Sequence, residues 1–261
     1  RRRHTRLQGD WSSDVCSSDL ETERHIVFYD LGPGRSRFAP AAESLKKILR
    51  DRDRRGADVV ILSHRAQDHV GGRVGLKDVL EQTGRIYSSE QEFSGDPCDR
   101  SISWEADRVT FRFLNAADQK FTSANDRSCV LLITGLFGSA LLTGDIESAA
   151  ERALVAHFGT DLKVDVLQAP HHGSKTSSTH AFLKHTSPTF ALISRGARNK
   201  FGHPHGIVIK RYLRRGITIL DTALLGRIAL WSRAEGWTQR SFAEKRQRFW
   251  HWKMVDEQSR S

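Results

Sequence analysis

Apolar residues along this chain come in short aliphatic runs, each of which empties into a polar loop. Residues 59–62 read VVIL and lead into SHRAQDHVGG, residues 141–145 read LLTGD, and residues 164–178 read VDVLQAPHHGSKTSS. Runs of this length and β-branching are buried strands rather than helices. Strands are predicted at 25–29, 59–62, 85–87, 108–114, 128–134, 139–143, 164–168, 189–194, 217–220 and 228–231, with 128–143 as a hairpin. Between them, apolar positions recur at helical spacing. Helices are predicted at 40–50, with Pro40 in a first turn, at 74–82, stopped by Gly84, and at 146–158, 179–185 and 207–215. Such alternation argues for an α/β fold in which helices cover sheets.

The first twenty residues break the pattern. RRRHTRLQGDWSSDVCSSDL has no helical or alternating period and no apolar face. Back-translated, it looks like a sequencing adaptor with an index, so residues 1–20 are expected to be a non-native, adaptor-like leader outside the fold. Residues 21–243 then form one large domain, since no Pro/Gly/Ser-rich linker, repeat or low-complexity tract divides them. Residues 244–261 form a basic, aromatic tail containing KRQRFWHWK.

Charge and cysteine content add limits. The net charge of +10 becomes +9 over residues 21–261. A basic balance suits a polyanionic partner. The longest apolar stretch, 130–143, is broken by Gly135 and Gly138 and is too short to span a membrane. Outside the leader only Cys98 and Cys129 remain. They could pair or stand as two buried thiols. Two cysteines in a domain of this size do not make a disulfide scaffold, which weighs toward free thiols.

The candidate chemistry lies where the strands end. Of twelve histidines, six (His64, His69, His171, His172, His203 and His205) fall in three loops that each follow an apolar run. His64, Asp68 and His69 follow the strand at 59–62, Asp145 follows the next, and His171 and His172 a third. Imidazole and carboxylate groups on loops fixed by strand ends suit a borderline divalent cation. A bound ion of that kind acidifies water and offsets charge on a phosphate, the two needs of phosphoester hydrolysis.

HRAQDH followed by GG resembles the first signature of the metallo-β-lactamase-fold hydrolases, usually His-x-His-x-Asp-His or His-x-Asp-x-Asp-His. NDRSCVLLI, LLTGDIE, APHHGSKTSS and ISRGARNKFGHPH, in that order, resemble the C-terminal hydrolase domain of the ComEC family, the DNA-uptake channels of transformable bacteria. The resemblance runs from about residue 21 to about residue 240. It implies an αββα four-layer sandwich with the site on one rim. Family members begin with an additional strand or hairpin before the segment matching HIVFYDLGPG, so this chain is expected to lack it and to leave a sheet edge unpaired.

The resemblance also implies roles. Asp68, His69, Asp145 and one of His171 or His172 would hold one ion, Zn or Mn, with Asp145 bridging toward a second. His64 matches the first ligand of the second position, but Ala66 stands where the family has His or Asp, and a methyl group coordinates nothing. No histidine occurs between His69 and His157; Asn125, Asp126 and Ser128 match the NDxS of ComEC-like members instead. One well-held ion is therefore expected, with the second weak or missing. Ser174, Lys175 and Ser177 offer hydroxyls and an ammonium for phosphate, and Asn199, His203 and His205 match a loop closing over the site, with His203 contacting a leaving oxygen.

The implied function is a metal-dependent nuclease with Asp68, Asp145 and His203 in the reaction, acting on single-stranded DNA. It would be an extracytoplasmic part of a bacterial inner-membrane protein whose channel domain lies upstream, a location that would favour pairing of Cys98 with Cys129. Nothing points to an oligomer. Two basic clusters, at 50–55 and 210–215, are candidate nucleic-acid contacts. The alternatives are hydrolysis of another phosphoester or small substrate, or a DNA-binding module weakened by Ala66.

Overall fold

The computed structural model describes residues 5–9, 18–35, 39–115, 121–196, 199 and 201–242. Six strands enter a first sheet: β1 (Thr5–Gly9), β2 (Ser18–Glu21), β3 (Ile26–Tyr29), β4 (Val59–Leu62), β5 (Arg85–Ser88) and β6 (Asp96–Pro97). Seven build a second: β7 (Ser103–Ala106), β8 (Val109–Phe113), β9 (Leu131–Gly135), β10 (Gly138–Leu142), β11 (Val166–Gln168), β12 (Phe190–Ile193) and β13 (Thr218–Asp221). The hairpin β14 (Ile228–Arg233) and β15 (Gly236–Ser241) then returns to the first. The sheets run β15-β14-β1-β2-β3-β4-β5-β6 and β13-β12-β11-β10-β9-β8-β7.

Alternation decides the layers. Val27, Tyr29, Val59 and Ile61 face the second sheet and pack with Phe111, Phe113, Leu131 and Val166. Their neighbours Ile26, Phe28, Val60 and Leu62 face the other way, onto Leu45, Ile48 and Leu49 of helix α1 (Pro40–Asp51). On the far face of the second sheet, Leu132, Leu141 and Leu167 meet Leu154 of helix α4 (Ser148–Phe158), Phe182 of α5 (His180–Thr186) and Val208 and Tyr212 of α6 (Gly206–Leu213). Both faces of the central strands are apolar because both are covered. The four layers are helix, sheet, sheet, helix.

Two short helices, α2 (Gln67–Val70) and α3 (Lys77–Glu81), flank a 3-10 turn at Gly71–Gly75, where one helix at 74–82 was predicted. Gly71 adopts an ordinary right-handed conformation. Its glycine is required by proximity instead: a Cβ there would collide with the backbone of Gly34, and one on Gly72 with Leu31 O. The last helix, α7 (Thr222–Leu225), is a single turn.

Two expectations are corrected. The edge of β3 is not unpaired: β2 lies antiparallel along it and β1 bridges β2 to β14. Residues 5–9 and 18–20 of the leader thus lie inside the sheet. Backbone pairing explains this, since an open edge offers N–H and C=O groups to any extended segment whatever its side chains. Burial of the polar Ser18, Asp19 and Glu21 is a pattern that periodicity does not read. The second correction is a Cys98–Cys129 disulfide, which joins the end of β6 to the approach of β9 and so ties the two sheets together. The tail 244–261 lies outside the described residues.

Candidate metal centre

The site is built at the carboxyl ends of parallel strands. In the first sheet β3, β4 and β5 run parallel, and Asp30 follows β3 while His64, Asp68 and His69 follow β4. In the second sheet β10, β11, β12 and β13 run parallel. Asp145 follows β10, the His171–His172 pair follows β11 and Ser194 follows β12. Both sets of loops open on the same rim, held together by Cys129 N donating to Ser63 O at 2.9 Å and the Tyr29 hydroxyl donating to Cys129 O at 2.5 Å. Loops at strand ends of parallel sheets are where such folds gather ligands.

Asp145 stands at the centre. Its Oδ1 lies 3.2 Å from His69 Nε2 and 3.4 Å from His172 Nε2, and its Oδ2 lies 3.6 Å from His64 Nε2 and 3.8 Å from His171 Nε2. Asp68 Oδ2 approaches His172 Nε2 at 3.5 Å and His69 Nε2 at 3.9 Å. Two sets of ligand atoms lie mutually close, His64/His69/Asp145 and Asp68/His69/His172, and they share His69, while His171 approaches Asp145 Oδ2. His172, rather than His171, stands with Asp68 and His69.

Each histidine is turned by a second contact on its other ring nitrogen. His69 Nδ1 meets Asp30 Oδ2 at 2.7 Å, His172 Nδ1 meets Ser194 O at 3.0 Å, His171 Nδ1 meets Glu147 Oε1 at 3.1 Å and His64 Nδ1 meets Ser63 Oγ at 3.0 Å. A carbonyl or carboxylate oxygen only accepts, so Nδ1 of His69, His171 and His172 carries the proton and each Nε2 presents a bare lone pair. Lone pairs of neutral imidazoles then face carboxylate oxygens within 4 Å. That convergence calls for a cation, and outer contacts of this type fix tautomer and aim in metal sites. Nε2 of His64 is buried with no hydrogen-bond partner, as a ligand nitrogen would be.

Electrostatics agree. Burial and the neighbouring His69 hold His64 down to about 4, so it is neutral at physiological pH with its lone pair available. Burial alone would raise the carboxyls. The neighbouring imidazoles of His172 and His69 outweigh it: Asp68 falls to about 2, and Asp145 lies well below the usual carboxylate range. Both are anions at neutral pH.

The backbone is bent to reach this arrangement. His171 and His172 adopt left-handed conformations in succession, with φ of 47° and 54°. Non-glycine residues there store strain that the surroundings must hold, a recurrent property of functional loops. Gly144, at φ +54°, leaves no room for a side chain: a Cβ would sit 2.8 Å from Ser128 Cβ. Ser128 in turn accepts from Asp145 N at 3.1 Å, and Asp126 accepts from Glu147 N and Ala150 N. The NDxS segment therefore fastens the Asp145 loop and the start of α4.

Similar proteins agree with this picture. No family model matches the chain. The chain is 35% identical over 204 residues to competence protein ComA of Neisseria gonorrhoeae, covering 78% of this chain and 28% of that protein. It is 30% identical to recombination protein 2 of Haemophilus influenzae (77% of this chain, 26% of that protein) and 30% identical to ComE operon protein 3 of Bacillus subtilis (66% and 24%). Among solved structures, the metallo-β-lactamase-fold protein YhfI of Bacillus subtilis superposes with a TM-score of 0.57 at 13% identity, over 84% of this chain and 96% of that one. Tm1679, a metal-dependent hydrolase of the β-lactamase superfamily, gives 0.52 at 12% identity, over 84% and 96%. The chain carries a ComEC-like metallo-β-lactamase-fold domain. It spans about a quarter of the length of the curated relatives it matches.

In this ComEC-like domain, the residues expected to touch substrate divide. His203 faces the site, its ring 5.5 Å from that of His171, with Nδ1 buried and without a hydrogen-bond partner. Lys175 is exposed. Ser177 is buried and donates to Pro170 O at 2.7 Å, closing the loop. Ser174 is buried too, its hydroxyl on Thr176 Oγ1 at 2.9 Å. Asn199 is spent on the loop itself, donating to His203 O and accepting from His203 N. His205 caps α6, accepting from Ile207 N. The basic clusters are also partly engaged: Arg52 pairs with Glu21, Arg54 with Asp58, and Arg211 donates to Ser177 O and Ser178 O. Among the described residues, no helix is long and apolar enough to cross a membrane.

Sequence reasoning missed Asp30, Glu147, Ser63 and Ser194. Asp30 carried a usable signal, since it ends an apolar strand as Asp145 does. Glu147 and Ser194 become relevant only once the strands are neighbours.

Proposed function

We propose that this domain is a metal-dependent phosphodiesterase that hydrolyses DNA. The observation that carries the reading is the convergence of Asp68 and Asp145 on the Nε2 atoms of His69 and His172, within 4 Å, each imidazole aimed by a fixed proton on its other nitrogen. These four residues would hold the principal divalent ion, Zn or Mn. When bound, such an ion supplies Lewis acidity, activating water near neutral pH and offsetting charge on a phosphate. The protein's part is positional. Asp30 and Ser194 aim His69 and His172, Ser128 and Gly144 hold Asp145 at the rim, and His203 stands ready to contact the leaving oxygen.

His64, His171 and the second oxygen of Asp145 form the other group. Ala66, the first residue before α2, adds no ligand there. One tightly held ion and a weak second are therefore proposed, and reduced turnover with them. Ala66 also supports a second reading, a DNA-binding module that keeps the scaffold with little catalysis.

The relatives named for competence support DNA as the substrate class; with it we propose single-stranded DNA, an upstream channel domain in the same polypeptide, and placement outside the cytoplasm of a bacterial inner membrane. The disulfide suits an oxidising compartment. The test is manganese-dependent cleavage of single-stranded DNA by the unaltered chain, by Ala66→Asp and by Asp145→Ala. Cleavage by the unaltered chain that Asp145→Ala abolishes supports the enzyme. Cleavage only in Ala66→Asp supports the silent module, and cleavage of bis-p-nitrophenyl phosphate without DNA cleavage supports a different phosphoester.

A further inference from the structure

A cavity of about 570 Å³ lies away from the His/Asp centre, where the C-terminal end of α4 meets the turn before β7 and the end of β8. Glu147, just before α4, touches His171, whereas His157 and Phe158 line this cavity at the helix's other end. Eleven helical residues separate the two places by about 16 Å. A small ligand cannot reach both.

The lining is specific in character. Arg100 and Arg112 enter from two different segments. Arg112 places its guanidinium carbon 5.7 Å from the centre of the Phe158 ring, and Arg100 donates to His157 Nε2 at 3.3 Å. The His157 and Phe158 rings meet edge to face at 4.6 Å, so an aromatic ledge stands beside the two cations. Neither arginine is paired with a carboxylate among the described residues, unlike Arg24, Arg52, Arg54, Arg85, Arg127 and Arg195. The one acid in the lining, Asp99, accepts from Ser101 N at 2.9 Å.

The turn is also firmly held. Asp99 and Arg100 directly follow Cys98, fixed by its disulfide, and Arg100 N donates to Asn115 O at 2.6 Å. Two unpaired guanidinium groups with a flat apolar surface beside them match a phosphate joined to a planar ring, because arginine binds phosphate through several N–H donors and aromatic faces accept any base. We propose that this cavity is a second nucleotide-binding site, with phosphate on Arg100 and Arg112 and the base against Phe158. It deepens the reading of a DNA-acting domain: a strand held here and hydrolysed at the rim would be gripped at two points about 16 Å apart.

The test measures binding to the full chain in EDTA, so that it is independent of any metal. A fluorescein-labelled oligo-dT is followed by anisotropy, with AMP and inorganic phosphate as competitors. Arg100→Gln/Arg112→Gln is expected to weaken oligonucleotide binding at least tenfold and to flatten its salt dependence. Phe158→Leu, which keeps the apolar fill, is expected to weaken oligonucleotide and AMP severalfold while leaving competition by phosphate unchanged. Lys77→Gln/Lys184→Gln removes the same charge at two exposed positions outside the cavity and the basic clusters and is expected to change affinity less than twofold. Displacement by AMP identifies a site for free nucleotide, and its failure identifies a site for a strand. Wild-type affinity in the Arg100/Arg112 variant, or an equal loss in the Lys77/Lys184 variant, overturns the proposal. Melting curves of all variants confirm that each is folded when compared.

Discussion

Asp30 holds the Nδ1–H of His69 at 2.7 Å although the two residues stand 39 positions apart. The same carboxylate accepts from Ser63 N at 2.7 Å and Ser63 Oγ at 2.8 Å, so it joins the loops after two adjacent parallel strands while setting which nitrogen of His69 faces the centre. Asp30→Asn keeps the shape and removes the charge. It is expected to weaken Zn or Mn binding ten- to a hundredfold, the usual effect of losing an outer partner of a ligand histidine, with the melting temperature lowered only modestly. Isothermal titration beside a thermal melt separates the two effects.

Reduction of Cys98–Cys129 removes a crosslink closing 31 residues. Loss of such a loop costs about 3 kcal/mol. A Cys98→Ser/Cys129→Ser variant should melt several degrees lower than the oxidised protein, and adding dithiothreitol should lower the wild type without moving the variant.

Glu151 supports the His171–His172 loop from below. It is fully buried in α4 and accepts from the backbone N–H groups of Ser178 and Thr179, beside the Tyr212–Ser178 hydroxyl pair. Glu151→Ala would leave two buried donors unsatisfied, at about 1–3 kcal/mol each, and is expected to be the more damaging change; Glu151→Gln keeps an acceptor. Burial raises the Glu151 carboxyl above its ordinary 4.5. A raised folded-state value means that the folded protein holds more protons than the unfolded chain in that window, so this residue's contribution to stability falls as pH rises through it. The stability gap between wild type and Glu151→Gln should therefore shift in favour of Gln between about pH 4.5 and neutrality, as chemical denaturation across that range would reveal.

Much of the ligand set was legible because it obeys a local rule. An apolar run that stops at His64, Asp145 or His171 announces both the strand and the residue it presents. Asp68 and His69 follow within a few positions. What was not legible depends on distant pairing. His172 was separable from His171 only by its contact with Ser194, delivered by the next parallel strand. The constraint on Gly71 and Gly72 is the backbone of Gly34 and Leu31 lying against them, which only the folded chain shows. That Ser177 and Asn199 bond within their own loops was not legible, because a hydroxyl or amide is the same letter whether it faces solvent or its own backbone. The strand predicted at 128–134 begins only at Leu131, since Asn115 takes over the hydrogen bonds of Ser128 O and Val130 N.

Gly144 tests how tightly the rim is built. Gly144→Ala places a methyl against Ser128 and Ser63 at a left-handed position, so Asp145 must move. Loss of metal binding together with a destabilisation of about 1–3 kcal/mol is expected, read by titration and chemical denaturation.

The most direct measurement is elemental analysis of the purified chain after dialysis against Zn or Mn, beside Asp145→Ala. The geometry predicts about one tightly bound ion per wild-type chain and none in the variant. A wild-type chain that retains no metal, or a variant that retains as much, would contradict it.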